Sequence, residues 1–268
     1  MPLSNQIKLI ELSKGWKWAK RRDCNFMECT LLENAGFKHG FFTRLCQEQN
    51  PSKLVKHLNP RNSVHFVKQV HGKNIVFASK TTEKSIEEGD ALVSDRRAQS
   101  LWVCTADCIP LLIADSRNRN VATCHAGWRG IAKRIIPSVI KQMERIGSSS
   151  KDLLIAIGPS ISISHYEVEL NVIRAINTSD NNYHFKKGMT INPDINNLYA
   201  KGVISDTEDR TKKHLSISLA AIRQIKSLGL SDNQISNSNI CTYSNPSLFN
   251  SWRRDHVRSV QWSGICSN

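Results

Sequence analysis

Short apolar runs, each ending on a polar step or a glycine, fill the middle of the chain and read as strands. Residues 75–79, 91–94, 101–105, 111–114 and 121–125 have this form, and the last runs into Gly127-Trp128-Arg129-Gly130. Beyond that point Ile131, Ile135, Val139, Met143 and Ile146 recur at helical spacing, and Gly147 closes the segment. Pro137 inside it predicts a kink or the true first turn, because proline has no N–H to give an inner helical turn. Residues 153–157 read as a buried strand. Segments 166–177 and 214–228 carry helical stripes, the second lined by Leu215, Leu219, Ile222 and Ile225. The polar stretch 178–212 predicts an irregular excursion, and 257–265 a closing strand. There is no βαβα rhythm and no G-x-G-x-x-G. The pattern predicts an α+β fold with a mixed β-sheet, and without repeats or a Pro-rich linker a single domain over 1–268.

Composition narrows the function classes. Hydrophobic residues make up 40% of the 268, enough for a proper core. The apolar runs fall far short of the roughly 20 residues of a membrane span, so no membrane partner is expected. Residues 1–17 hold no continuous apolar stretch, and a cytoplasmic chain is expected. Eight cysteines without a regular framework then predict reduced thiols, most of them packing in the core. The 37 basic against 23 acidic residues give a formal charge of +14, which invites a nucleic-acid partner. No zinc-finger spacing, RNA-recognition motif or run of five basic residues supports it, so nucleic-acid binding stays a lesser alternative.

Three segments place metal-capable side chains at strand ends: Lys68-Gln69-Val70-His71-Gly72, Cys104-Thr105-Ala106-Asp107-Cys108-Ile109-Pro110 and Ala122-Thr123-Cys124-His125-Ala126-Gly127. Two imidazoles and a thiolate make a three-ligand set that leaves zinc an open position for water or substrate. Adjacent strand residues face opposite ways, so a site-facing His125 sends Cys124 to the core. Cys104 lies deeper in its strand, whereas Cys108 sits in a polar step before Pro110. The candidate ligands are therefore His71, Cys108 and His125.

These words, with Gly89-Asp90-Ala91-Leu92-Val93-Ser94-Asp95, Ile157-Gly158-Pro159-Ser160-Ile161, Tyr166-Glu167-Val168 and Phe249-Asn250-Ser251-Trp252-Arg253-Arg254-Asp255, resemble one family. It is the YfiH-like family, also called laccase-domain, polyphenol-oxidase-like or peptidoglycan editing factor proteins, and the motifs span about 39–265. The resemblance implies a single layered α+β domain with mixed β-sheets flanked by helices. The resemblance implies the same ligands, His71, Cys108 and His125, and zinc-dependent phosphorolysis of adenosine, inosine, guanosine and methylthioadenosine, with deamination of adenosine. Purine nucleosides and phosphate are the implied partners; a monomer and a homodimer both remain open. His39-Gly40-Phe41-Phe42-Thr43-Arg44 resembles the family's Phe-Thr-Arg segment, which makes Arg44 a catalytic phosphate clamp. Arg129 is a second candidate for anionic groups, against a helix-start ion pair. Trp128 and Trp252 are candidates for base stacking against core packing, and Arg253, Arg254 and Asp255 for a supporting network. After Arg44 the chain departs from the family, with Leu45-Cys46-Gln47-Glu48 where relatives carry Gly-Gly-Val-Ser.

Other chemistries fit the same residues. Cys108 could act as a nucleophile with His71 or His125 as base, in a muropeptide-editing hydrolase. Copper is the alternative metal, with phenol oxidation as the reaction, but none of the methionines at 1, 27, 143 and 189 falls in a motif to serve as the weak axial ligand of a blue-copper site.

Overall fold

The strand Ile109–Asp115 shows how the layers form. Its odd positions Ile109, Leu111 and Ile113 join a core shared with helices, while Leu112 and Ala114 join a second core between two sheets. Buried on both faces, this strand and its neighbours are apolar almost throughout. The computed structural model describes residues 9–21, 24–180 and 195–267.

One six-stranded sheet runs, in spatial order, Trp16–Arg21, Cys24–Cys29, His39–Phe42, Gln261–Cys266, Gln99–Thr105 and Ser63–His65. The other runs Ile235–Asn237, Leu153–Ile157, Ile109–Asp115, Val121–Ala126, Ala91–Val93 and Ile75–Phe77. Most neighbours are antiparallel, but the pairs 63–65 with 99–105, 153–157 with 235–237 and 75–77 with 91–93 are parallel. Both sheets are thus mixed. Helices Ile135–Arg145, Leu170–Asp180 and Ile217–Lys226 cover the outer face of the second sheet. A small third sheet joins Glu167–Glu169, Lys212–Leu215 and Ile204–Asp206. The α+β layered expectation holds. Among the described residues no helix is long and apolar enough to cross a membrane.

Several local expectations change. The helix predicted from Ile131 is two helices, Trp128–Ala132 and Ile135–Arg145, broken where Arg134 takes the left-handed conformation at φ 60°. Pro137 lies in the first turn of the second, where its missing N–H costs nothing. The stripe at 166–177 begins as the strand Glu167–Glu169, because Val168 pairs with Lys213, and turns helical at Leu170. Leu215 likewise belongs to a strand; Ser216 then caps the helix by accepting from the Leu219 N–H. The predicted excursion at 178–212 contains the helix Asn196–Ala200 and the strand Ile204–Asp206, while 181–194 lies outside the described residues. The closing strand starts late, at Gln261.

The thiol expectation needs a correction. Cys24 and Cys46 are joined in a disulfide. The antiparallel register that pairs Phe26 with Phe42 carries residue 24 back toward the turn after Arg44, and both sulfurs are buried in an aromatic cluster with Trp102. The other six cysteines are free.

His39 is buried in the first sheet, where Nδ1–H donates to the Phe37 carbonyl at 2.9 Å and Nε2 accepts from the Cys29 N–H at 2.8 Å. Burial pushes its pKa down from 6.5 to about 4. Between these values the unfolded chain binds the proton and the folded chain does not, so stability rises with pH across that window. We predict that acidification from pH 6.5 to 4 removes about 3 kcal/mol through this group. Urea titrations should show that component missing in His39→Gln, whose amide can make both hydrogen bonds without titrating; an unchanged pH slope would refute it.

Candidate metal centre

Strand alternation places His125 as predicted. Cys124 points into the helix-side core, fully buried, while His125 turns the other way at 3% exposure. His71 lies in the loop before strand 75–77, and Cys108 opens the strand 109–115. Ligand atoms of His71, Cys108 and His125 all fall within 4.8 Å of one another, and among the described residues this is the one such cluster. The two imidazoles meet edge to face at 4.7 Å between centroids. His71 is exposed and Cys108 half-buried, so the cluster opens to solvent on one side.

The exposed histidine itself and the residue before the thiol have strained backbones. His71 has φ 55° and Asp107 φ 84°, a region that L side chains seldom adopt. Each is held by hydrogen bonds. The Asp107 carboxylate accepts from the Thr242 hydroxyl and the Arg253 N–H, both at 2.7 Å, and its carbonyl accepts from the Ile161 N–H. Asp107 is therefore an anchor for the turn that presents Cys108. At Gly127 a Cβ would lie 2.9 Å from the Cys108 sulfur and 3.3 Å from the His71 ring, so the close approach requires glycine.

Asp90 governs the histidines. Its Oδ1 accepts from His125 Nδ1–H at 2.8 Å and from the His71 N–H at 2.9 Å, and its Oδ2 from the Gly72 N–H at 2.6 Å and the Val70 N–H at 3.3 Å. Burial would raise its pKa, but these donors hold the carboxyl below the usual range. With Nδ1 occupied, His125 presents Nε2 to the cluster. The motif containing Asp90 was legible in the sequence, yet its orienting role was not; a lone acid at the entry to a buried strand was the available signal.

The thiol and imidazole are coupled. Burial would raise the Cys108 pKa, but attraction to His125 and hydrogen bonds from His125 and His71 pull it down to about 6. Reciprocally, burial would lower His125, and the Cys108 charge with Asp90 raises it to about 9. Each group thus favours the charged form of the other. By contrast, burial pushes Cys104 up to about 12 and Cys124 higher still. Two imidazoles and a thiolate suit zinc, and copper equally.

The arginines fall outside this hydrogen-bonded cluster. Arg44 is exposed, with one guanidinium nitrogen donating to the Pro246 carbonyl at 3.0 Å. Arg129 is exposed with its guanidinium 4.5 Å from the Trp128 ring centroid. Tyr166, absent from the sequence-predicted site, feels the charges of Cys108, Arg253, Asp107 and Arg129, after the burial that raises its pKa. Arg253 lies over that ring at 5.1 Å and also donates to the Glu167 carbonyl, while Arg254 donates to the carbonyls of Thr242, Tyr243 and Phe249. Both are braces, as the supporting-network reading had them. Trp252 is 49% exposed, which excludes the core-packing alternative for it.

Known proteins share this architecture. A purine nucleoside phosphorylase of Synechocystis is 33% identical over 94% of this chain and 97% of its own length. The Bacillus subtilis purine nucleoside phosphorylase YlmD is 30% identical over 65% of this chain and 57% of its own. Among solved structures, YlmD of Geobacillus stearothermophilus superposes with a TM-score of 0.77 at 21% identity, over 94% of this chain and 98% of that one. The Bacillus licheniformis hypothetical protein YfiH gives 0.76 at 22% identity, over 94% and 99%. A family model described as multi-copper polyphenol oxidoreductase laccase matches residues 43–267. On this match and on the Synechocystis relative, the chain belongs to that YfiH-like family.

Proposed function

We propose that the chain is a zinc-dependent purine nucleoside phosphorylase acting on adenosine, inosine, guanosine and methylthioadenosine, with adenosine deamination as a second activity. The observation that carries the reading is the convergence of two imidazoles on one thiolate. The names of the relatives supply the substrate class. In phosphorolysis an oxygen of phosphate bonds to the anomeric carbon as the bond from that carbon to the base nitrogen breaks. The base takes up a proton, leaving ribose 1-phosphate or its methylthio analogue.

His71, Cys108 and His125 would hold the metal, which when bound supplies a Lewis acid for developing negative charge. Asp90 keeps His125 in one tautomer and orientation, the usual office of a carboxylate behind a ligating histidine. Cys108, already a thiolate near neutrality, needs no further activation to ligate. Arg44 and Arg129 are assigned to the phosphate; each has unused guanidinium N–H donors facing solvent.

One geometric fact favours a second reading. Cys108, His125 and Asp90 also form a nucleophile, base and orienting acid in sequence, as in a thiol hydrolase. That chain leaves His71 without a task, which ranks it below the metal site. A chelator separates the two, because it stops a zinc mechanism and spares a thiol one. Copper-dependent phenol oxidation ranks lower still, since three ligands do not build a multicopper centre.

Metal analysis and turnover of adenosine with phosphate test the main reading. We expect about one zinc per chain, formation of adenine and inosine, and loss of both metal and turnover in His125→Ala. Zinc retained by His125→Ala would contradict the ligand assignment; zinc without nucleoside turnover would end the phosphorylase reading. In Asp90→Asn, chelator competition should show zinc affinity lowered roughly 10–100-fold. An affinity equal to wild type would show that Asp90 shapes the loop without tuning the ligand.

A further inference from the structure

The strands that deliver the metal centre have their other ends at a second concave site. Strand 121–126 carries His125 at its finish and follows Asn120 at its start; 99–105 finishes before Cys108 and starts after Arg97. Strand 261–266 ends at Ser267 on the same side. Five to six residues at about 3.3 Å each put the two poles roughly 17–20 Å apart. At the far pole lies a cavity of about 230 Å³ lined by Arg96, Arg97, Arg119, Asn118, Asn120 and Asp95, with Ser267 at its edge.

The three arginines are unequally committed. Arg119 is fixed in place: its guanidinium donates to the carbonyls of Ala35 at 2.7 Å and Gly36 at 3.2 Å and lies 3.8 Å from the Phe37 ring centroid. Two of its five N–H donors are used, so up to three remain. Its backbone sits at φ 67°, in a turn whose neighbouring N–H groups, those of Arg117 and Asn118, are held by the Asp115 carboxylate. Arg96 and Arg97 are exposed, and among the described residues their guanidinium groups form no ion pair. The Arg96 backbone is nevertheless hydrogen-bonded on both sides. The Arg96 N–H donates to Gln99 Oε1 at 3.0 Å, and the Arg96 carbonyl accepts from the Ser267 hydroxyl at 3.0 Å. Asp95, the one acid in the lining, already accepts from Ser79 and the Gln99 side chain. Burial would raise its pKa, but those donors hold it low, so it stays charged. Three guanidinium groups against one carboxylate leave a concave surface of net charge +2.

We propose that this pocket binds a small phosphate-bearing anion, at a site separate from the metal centre. A phosphate group carries a charge of about −1.5 to −2 near neutrality, which matches the lining. Guanidinium forks pair with phosphate oxygens two at a time; the side-chain amide of Asn120, and the N–H of Asn118 left after its amide donates to the Gly147 carbonyl, add neutral donors. The cavity is smaller than the roughly 300–1,000 Å³ of pockets for drug-sized ligands, so it takes a phosphate group or diphosphate and leaves any attached nucleoside outside. Nucleic acid is the competing occupant, and size argues against it.

The test is calorimetric titration of the metal-containing protein with inorganic pyrophosphate and, separately, ADP. Beside any binding at Arg44 and Arg129, one saturable equivalent that persists in His125→Ala is expected, weakening between about 50 and 200 mM salt. The double variant Arg96→Gln/Arg97→Gln removes two side chains that form no hydrogen bond among the described residues, so thermal unfolding should match wild type while affinity falls at least about tenfold. The control Lys201→Gln/Arg258→Gln removes the same charge elsewhere and should change affinity less than about threefold. Equal affinities for pyrophosphate and ADP would mark a free phosphate as the ligand; tighter ADP would mark a phosphorylated nucleoside. Either supports the site. No saturable binding, equal loss in the control, or binding that survives Arg96→Gln/Arg97→Gln and vanishes in His125→Ala would overturn it. So would single-stranded RNA binding more tightly than either anion through the same arginines. None of these readouts depends on nucleoside turnover, so this site and the phosphorylase reading can fail separately.

Discussion

One buried carboxylate organises the candidate centre. Asp90 sits just before the short strand Ala91–Val93, which pairs with the strand carrying His125. Its side chain reaches His125 on that neighbour and three consecutive N–H groups of the loop 70–72. A carboxylate can accept at about four lone-pair positions, and here four donors use them. Remove the charge and His125 loses its orienting partner while the left-handed turn at His71 loses the bonds that offset its strain. Both imidazoles depend on one side chain that touches neither the sulfur nor the solvent.

The layered fold explains why such an arrangement can be precise. Strands buried on both faces have little freedom to slip, because a one-residue shift would bury Thr123 and His125 among the helices and expel Cys124. The register Pro110 opposite His125 then fixes how far Cys108 stands from the imidazole. Loop geometry completes the approach: Asp107, strained and doubly anchored, turns Cys108 inward, and Gly127 leaves room for the sulfur. The same antiparallel strands that end at the metal pole begin at the arginine pole. Each pole is therefore a row of strand ends with its own charge.

Much of the centre was legible because it obeys local rules. Period-two alternation separated His125 from Cys124, and the polar step before Pro110 marked Cys108. What could not be read were relations between distant segments. Thr242 anchors Asp107 across 135 positions, and nothing near Thr242 in the chain announces it. The strand Glu167–Glu169 was hidden inside a helical stripe because its pairing partner, Lys212–Leu215, lies some forty residues away and decides the conformation. The N-terminal hairpin Trp16–Arg21 and Cys24–Cys29 escaped notice for a similar reason: its apolar face is complete only against His39–Phe42.

The cysteines show the limit of reading residue types singly. Eight thiols in one chain suggested a shared redox state, yet their environments divide them. Cys124 and Cys266 are wrapped in apolar side chains, where burial disfavours the charged form, and they behave as small hydrophobes. Cys24 and Cys46 meet because a strand pairing brings a terminus to a turn, and they join. Cys108 departs furthest from the rule of burial, while hydrogen bonds with Ser162 and Ser244 also lower Cys241. Two imidazoles beside Cys108, one favoured in its charged form by Asp90, outweigh desolvation and pull the thiol below its ordinary pKa. The difference between an inert thiol and a candidate ligand is thus the sign of the nearest charge, and that charge is favoured by a carboxylate eighteen positions upstream in the chain.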